Sequence, residues 1–246
     1  MTVADVPVLV GVGVLAGVVS TVASLASVVS YPALLAVGLP PLSANVTNTV
    51  ALMFTGVGAA AGSRPELRGQ GGLVLRLGVI TVLGGAAGAA LLLVTPAGAF
   101  EAIAPWLVGG ASATLLLKRG ARRPEARRTP ALRVALFCVA VYVGYFGAAG
   151  GILMLAVLTA MLDRPLASVN AVKNAVSGMA NGVAAVGFAA FGPVRWAAAV
   201  PLAAGFLAGG WIGPALVRRL PGRALRLVIG ACGLAVAVKL GLDAYG

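Results

Sequence analysis

One predicted helix carries the side chains best suited to binding an ion. After Pro165, polar residues recur at i, i+4, i+7 and i+11, the spacing of a single helix face. They are Asn170, Asn174, Ser177 and Asn181. Lys173 lies at the edge of this polar stripe. Amides and hydroxyls can hydrogen-bond an ion and the ammonium adds a positive charge, so the stripe predicts an anion-binding site.

Lys173 is the only charge predicted deep inside an apolar segment. Counting from Asp163 at about 1.5 Å per residue places it roughly 15 Å into a bilayer, near the midplane. A charge at that depth is costly, and it indicates a site that faces a cavity or an anion. Two alternatives stay open. The lysine can snorkel to the interface, or it can pair with backbone carbonyls and steady the helices.

The first half of the chain has a second polar cluster. Asn45, Asn48 and Thr49 fall at i, i+3 and i+4 on one helix face, and Thr47 aligns with Lys173. Inner helix N-termini, which attract anions, are expected near the serines at 24 and 27 and near the glycines at 150 and 151. A lone serine is more often a packing residue. The candidate substrate-binding residues are Lys173, Asn174, Asn170, Ser177, Asn45, Asn48, Thr49, Ser24, Ser27, Gly150 and Gly151.

The amino-acid composition indicates that the protein lies in a membrane. Of 246 residues, 60% are apolar and 10% are charged, whereas a soluble domain carries about 25% charged residues. Such a chain cannot face water on all sides, so we expect an all-α polytopic membrane protein with the lipid bilayer as a partner. The net charge of +12 is gathered in short gaps between apolar runs. This distribution is typical of membrane orientation and argues against nucleic acid as a partner.

Eight apolar segments are long enough to enter a bilayer. They run over 6–38, 42–62, 73–95, 99–117, 131–162, 165–192, 194–217 and 222–243. The first and fifth exceed 30 residues and are interrupted, the first by Ala23 to Ser27 and then Pro32, the fifth by glycines from Gly144 to Gly151. Backbone freed from helical bonding at membrane depth must be buried in protein or line a wet cavity. Both segments are therefore predicted to be broken or re-entrant helices.

The chain also repeats itself, and the repeat predicts its topology. The predicted parts are an N-terminal repeat over 1–117, a basic cytoplasmic linker over 118–131 and a C-terminal repeat over 132–246. Three gaps, 64–76, 118–133 and 218–226, hold 14 of the 18 basic residues. All three can be cytoplasmic if the first and fifth segments re-enter, which makes the halves inverted repeats of four segments each. Eight plain spans with one gap on the wrong side are the alternative.

Several residue types argue against other functions. Every Asp and Glu falls in a gap or at a segment end, and His is absent. We therefore expect no enzyme, no cofactor and no metal site; a Lys173–Ser177 nucleophile pair has no other support. Cys138 and Cys232 are predicted to be small core residues. The Gly-xxx-Gly pairs at 84–88, 178–182, 205–209 and 209–213 predict close helix packing or a subunit contact, and with it a homodimer.

The residues from Ser27 to Asn48, including Pro40-Pro41, and those from Gly144 to Asn174 resemble the sulfite exporter TauE/SafE family. Both stretches combine a small-residue break, a proline turn and a polar pair, and the resemblance covers nearly the whole chain. Leu25 to Ser27 stand where that family usually has glycines. The resemblance implies a multi-pass protein of the bacterial inner membrane that moves sulfur-containing anions such as sulfite, thiosulfate or sulfoacetate and other organosulfonates.

The expected function is therefore export of a small sulfur-containing anion by alternating access at a midplane site. An inside-negative potential favours the exit of an anion by about 2.3 kcal/mol per charge per 100 mV, so export requires no coupled proton. An anion channel and a non-transporting membrane scaffold subunit are the alternatives. Flux against concentration separates the channel from the transporter, and stabilisation by substrate argues against the scaffold.

Overall fold

The structure, a computed structural model, describes residues 5–94, 130–145 and 150–219, together with 227, 238 and 242. These ranges consist of helices and their connections, with no strand. The helices are α1 Asp5–Ala23, α2 Ala26–Ala36, α3 Pro41–Gly62, α4 Arg64–Leu67, α5 Gly71–Val94, α6 Pro130–Tyr145, α7 Gly150–Met161, α8 Leu166–Phe191 and α9 Trp196–Arg219.

Four helices, α1, α5, α8 and α9, are long and apolar enough to cross a bilayer, and α6 and α7 are shorter apolar helices. The all-helical membrane architecture is thereby confirmed. The predicted segment 99–117 lies outside the described residues, as does 222–243 apart from three single positions. Most of the predicted linker 118–131 lies outside them too, although α6 already begins at Pro130.

The first apolar segment is interrupted where the small residues predict it. Helix α1 ends at Ala23, and α2 begins at Ala26 after a residue, Ser24, with a φ of 62°. Pro32 lies inside α2 without ending it, so the prediction of a second interruption there is wrong. The fifth segment likewise consists of two helices, α6 and α7, and residues 146–149 between them lie outside the described residues.

The helices of the two halves begin at a constant spacing. Helices α1 and α6 begin at residues 5 and 130, α3 and α8 at 41 and 166, and α5 and α9 at 71 and 196, an offset of 125 each time. The shorter helices α2 and α7 end at 36 and 161, with the same offset. This spacing pairs Lys173 with Asn48 and corrects the alignment with Thr47.

The packing of the helices follows the same pairing. Helix α1 packs on α9, and its counterpart α6 packs on α5. Helix α3 packs on α9, and its counterpart α8 packs on α5. Helices α3 and α8 also pack on each other. The two polar helices, α3 and α8, are therefore brought together between the apolar ones.

Glycine spacing explains how closely the paired helices approach. Gly84 of α5 faces α6, and a Cβ atom added to it would lie 2.8 Å from the carbonyl oxygen of Phe137. Gly88 also lies against the backbone of α6. Gly205 and Gly209 of α9 lie against the backbone of α1 in the same way. The faces of Gly84 and Gly88 and of Gly205 and Gly209 are therefore occupied within the chain, while a Cβ added to Gly182 has no neighbour within 4 Å among the described atoms, so the homodimer stays a prediction.

Side chains inside the bundle are predominantly aliphatic. The buried residues of one cluster include Leu136, Ile152 and Leu155, and those of another include Leu9 and Phe206. Between helices in lipid, van der Waals packing replaces the hydrophobic effect as the source of stability. Cys138 is exposed on α6, so its prediction as a core residue is wrong, and Cys232 lies outside the described residues.

Candidate functional site

The interruption between α1 and α2 opens onto a small cavity. The volume open to the centre of a water molecule is about 40 Å³. One buried water needs roughly 10–15 Å³ by this measure, so the cavity has room for a few water molecules. It is lined by Ser20, Ser24, Ala26, Ser27, Leu52, Thr55, Gly56, Val143, Gly151, Lys173, Asn174, Ser177, Gly178 and Asn181.

Lys173 supplies the charge of this cavity. Its side chain is 2% exposed, and its Nζ donates hydrogen bonds to Ser24 Oγ at 2.9 Å and to the Ser20 carbonyl oxygen at 3.4 Å. Within the described ranges, the ion pair found is Arg218 with Glu66, so Lys173 has no carboxylate partner there. A buried ammonium held only by neutral oxygens leaves a positive site that an anion can compensate.

Two side chains of α8 cap the broken end of α1. Asn170 Nδ2 donates a hydrogen bond to the Thr21 carbonyl oxygen at 2.7 Å, and Lys173 reaches the Ser20 carbonyl one residue earlier. A cation is favourable near the last carbonyls of a helix, and Lys173 shares the Ser20 carbonyl with the Ser24 N–H, which donates to it at 2.9 Å. These bonds agree with the alternative in which Lys173 steadies the helices, so its two roles must be separated by experiment.

Two helix N-termini meet at the same cavity. Helix α2 begins at Ala26 without a side-chain cap from Leu25, and Ala26 and Ser27 line the cavity. Helix α7 begins at Gly150, and Gly151 lines the cavity. The first N–H groups of a helix have no intrahelical acceptor and carry partial positive charge, so they favour an anion. Both N-termini therefore reinforce the charge of Lys173.

The family model described as "Sulfite exporter TauE/SafE" matches residues 9–240 of the chain. This chain belongs to the sulfite exporter TauE/SafE family. Neither a curated protein nor a solved structure matches it. The match confirms the resemblance seen in the sequence and, with the four long apolar helices, identifies a multi-pass membrane protein of a transporter family.

Six of the predicted site residues of this TauE/SafE protein line the cavity, and five do not. The six are Lys173, Asn174, Ser177, Ser24, Ser27 and Gly151. The five are Asn170, which caps α1, and Asn45, Asn48, Thr49 and Gly150. A polar stripe on α8 thus contributes to the cavity more than its counterpart on α3 does.

The predicted site residues of α3, Asn45, Asn48 and Thr49, make hydrogen bonds within and between helices. Asn48 Nδ2 donates to Ser27 Oγ at 3.2 Å, and Ser30 Oγ donates to Asn48 Oδ1 at 2.6 Å, which ties α3 to the first turns of α2. Thr49 Oγ1 donates to the carbonyl oxygen of Asn45 within α3 at 3.0 Å. Asn48 therefore holds the side chain of Ser27, which lines the cavity, without lining the cavity itself.

Three polar cavity residues are absent from the predicted set. Ser20 lies in α1, four residues before Ser24, and extends the series of serines at 24, 27 and 30 toward the N-terminus. This spacing could have indicated Ser20 as a site residue. Asn181 ends the polar stripe of α8. Thr55 Oγ1 and Asn181 Oδ1 are buried and have no hydrogen-bond partner among the described residues. The Thr55 hydroxyl can donate a hydrogen bond to an anion or a water molecule in the cavity, whereas Asn181 Oδ1 can only accept one, for example from a water molecule.

The backbone is strained at Ser24, in the interruption between α1 and α2. Its φ of 62° is in the left-handed region, which costs a non-glycine residue roughly 1–2 kcal/mol. Gly151 packs directly on it, since a Cβ added to Gly151 would lie 2.8 Å from Ser24 Cβ. Ser24 is nevertheless the residue whose hydroxyl accepts the Lys173 bond. Serine at this position therefore costs backbone stability but supplies the hydroxyl that accepts the hydrogen bond from Lys173.

Substitution of Ser24 measures this strain. Ser24→Ala and Ser24→Gly both remove the hydroxyl, but only glycine relieves the positive φ, so Ser24→Gly should be more stable than Ser24→Ala by about 1 kcal/mol. Thermal unfolding of the purified protein in detergent compares them. At Ser177, inside regular α8, the order should reverse because alanine favours a helix. Equal stability of the two Ser24 variants would contradict a strained break.

Proposed function

We propose that this TauE/SafE protein exports a small sulfur-containing anion across the bacterial inner membrane by alternating access at the Lys173 cavity. The observation that carries the proposal is a buried ammonium that two helix N-termini surround and no described carboxylate neutralises. Such a site favours anions over cations. Membership of a transporter family supports transport rather than catalysis.

The size of the cavity favours the smallest of the family's candidate anions. Its volume of about 40 Å³ corresponds to a few water molecules, which is comparable to the few heavy atoms of sulfite or thiosulfate. Sulfoacetate and other organosulfonates require a wider state of the same site. We therefore rank the inorganic anions first. The hydroxyls of Ser24, Ser27 and Ser177, together with Asn174, are the proposed hydrogen-bonding groups.

Alternating access is supported by the repeated packing of the two halves. Gly85 of α5 approaches Ala180 of α8, and Gly210 of α9 approaches Thr55 of α3. The two contacts are equivalent, because Gly85 and Gly210, and likewise Thr55 and Ala180, are separated by the same 125 residues as the helix starts. Inverted repeats related in this way commonly rock against each other around a midplane site. The crossing of α3 and α8, next to the cavity, is the proposed pivot.

The direction of transport follows from charge. In the proposed topology, the basic gaps of the repeats 1–117 and 132–246 are cytoplasmic. An inside-negative potential then drives an anion outward by about 2.3 kcal/mol per charge per 100 mV without a coupled ion. Export is the favoured direction.

Counterflow into liposomes tests the proposal. Vesicles that contain the purified protein and unlabelled sulfite should accumulate labelled sulfite or thiosulfate with saturation, and should exchange taurine, which is a zwitterion, and simple carboxylates more weakly. Protein-free vesicles give the background. Flux that rises without saturation would indicate a channel. A folded protein that exchanges none of the anions would indicate a non-transporting scaffold subunit. In that case the hydrogen bonds of Lys173 and Asn170 to α1 would only hold the helices together.

A further inference from the structure

A second cavity, distinct from the Lys173 site, lies between the ends of three helices of the bundle. It is larger, about 340 Å³, and is formed by the starts of α5 and α6 and by the end of α7 with the connection to α8. Its lining includes Arg76, Arg133 and Arg164 and the aliphatic residues Leu73, Met161 and Leu162. None of these residues contributes to the Lys173 cavity.

Three arginines line this one cavity. All three arginines are exposed, and none makes an ion pair with a carboxylate in the described ranges. Asp163 is also part of the lining, which leaves a surplus of positive charge. Guanidinium groups present fork-shaped donors that match phosphate oxygens in two-point hydrogen bonds. The rim of this cavity is therefore suited to a phosphate group.

The remaining lining is apolar, which distinguishes the cavity from a site for a free inorganic ion. Leu73, Met161 and Leu162 are half-buried, and Leu77 is buried beside them. An inorganic anion gains nothing from aliphatic side chains, whereas the glycerol backbone and acyl chains of a lipid do. Basic pockets between membrane helices are known to bind lipid headgroups. The combination of rim and lining fits an amphipathic ligand.

These three arginines have no charged equivalents in the other half of the chain. At the offset of 125 residues that pairs the helices, Arg76 corresponds to Pro201, Arg133 to Val8 and Arg164 to Leu39. The same positions in the other half are therefore all uncharged. In the proposed inverted topology the equivalent positions lie on the external side, where basic residues are disfavoured, so the charge alone is not specific to a ligand. What carries the inference is that the three arginines line one cavity together with aliphatic side chains.

We propose that this cavity binds the phosphate headgroup of an anionic phospholipid from the surrounding bilayer, with Arg76, Arg133 and Arg164 on the phosphate and Leu73, Met161 and Leu162 along the acyl chains. The proposal does not depend on which anion the Lys173 cavity carries. Positive charge at a cytoplasmic surface also orients a membrane protein, so the test must keep the charge while changing its geometry.

Replacement of all three arginines by lysine meets that requirement. In the variant R76K/R133K/R164K the charge is kept but the two-point hydrogen bonds are lost, so affinity for phosphatidylglycerol should fall about tenfold. Detergent-solubilised protein is titrated with phosphatidylglycerol or phosphatidylcholine, and lipid retention by native mass spectrometry and the shift in melting temperature are measured. The control R64K/R68K/R219K changes three exposed arginines outside the cavity and should bind like the unmodified protein.

The outcomes separate a lipid site from its alternatives. Stabilisation by phosphatidylglycerol in the unmodified protein and the control, but not in R76K/R133K/R164K, supports the proposal. Equal stabilisation of all three proteins overturns it in favour of a general attraction to anionic lipid. Displacement of the lipid by glycerol phosphate alone overturns it in favour of a soluble anion. If the triple variant is poorly folded, the single variant Arg164→Lys, which lies in a connection, takes its place.

Discussion

Lys173→Ala is expected to reduce transport of sulfite to a small fraction of that of the unmodified protein while the protein still folds and inserts. The substitution removes the single charge of the cavity and the bonds of Nζ to Ser24 and Ser20. A hydrogen bond to a charged group contributes about 1.5–3 kcal/mol, so the apparent affinity for the anion should fall roughly 10- to 100-fold. Counterflow against sulfite concentration, together with the amount of folded protein, measures both quantities.

Asn170→Ala is the matched control for this substitution. Asn170 lies on the same helix and also bonds the end of α1, but it does not line the cavity. If Lys173 only steadies the break, the two variants should lose stability and transport in parallel. If it binds the anion, Lys173→Ala should lose affinity well beyond any loss of stability. Flux equal to that of the unmodified protein in Lys173→Ala would remove the charge argument.

Gly178→Ala is expected to disrupt the crossing of α3 and α8. A Cβ atom on Gly178 would lie 2.8 Å from the Cα atom of Gly56, so the backbones of α3 and α8 would have to move apart. Overpacking of this kind costs about 1–3 kcal/mol. Both glycines also line the Lys173 cavity, so transport should fall together with the unfolding temperature.

Gly182→Ala, one turn further along α8, provides the comparison. A Cβ atom there has no neighbour within 4 Å among the described atoms, so alanine should be neutral or should stabilise the helix by up to about 1 kcal/mol. Thermal unfolding in detergent and counterflow in liposomes are measured for both variants. Equal effects of the two substitutions would contradict the role given to the Gly56–Gly178 contact.

Long apolar runs made the helices predictable. The segments predicted over 42–62 and 165–192 agree within one residue with α3 and α8, because continuous apolar sequence bounded by prolines fixes both ends of a membrane helix. The interruption near Ser24 was also readable from small residues. The left-handed backbone at Ser24 was not, since non-glycine residues rarely adopt it and nothing in the local sequence marks this serine for it.

The members of the site were harder to predict than its helices. Asn48 and Asn174 lie in equally polar stretches, yet Asn174 lines the cavity and Asn48 bonds Ser27 and Ser30. The difference comes from the way in which each helix is rotated against its neighbours, which spacing along one helix does not specify.

The bonds between Lys173 and the end of α1 bear on how an empty carrier returns across the bilayer. In the proposed cycle, the Ser24 hydroxyl and the Ser20 carbonyl take the place of cargo after its release. The ammonium is then solvated by the chain itself during the return step, and does not cross with a bare charge. Incoming cargo must displace these oxygens, so loading and loosening of the joint between α1 and α2 become a single event.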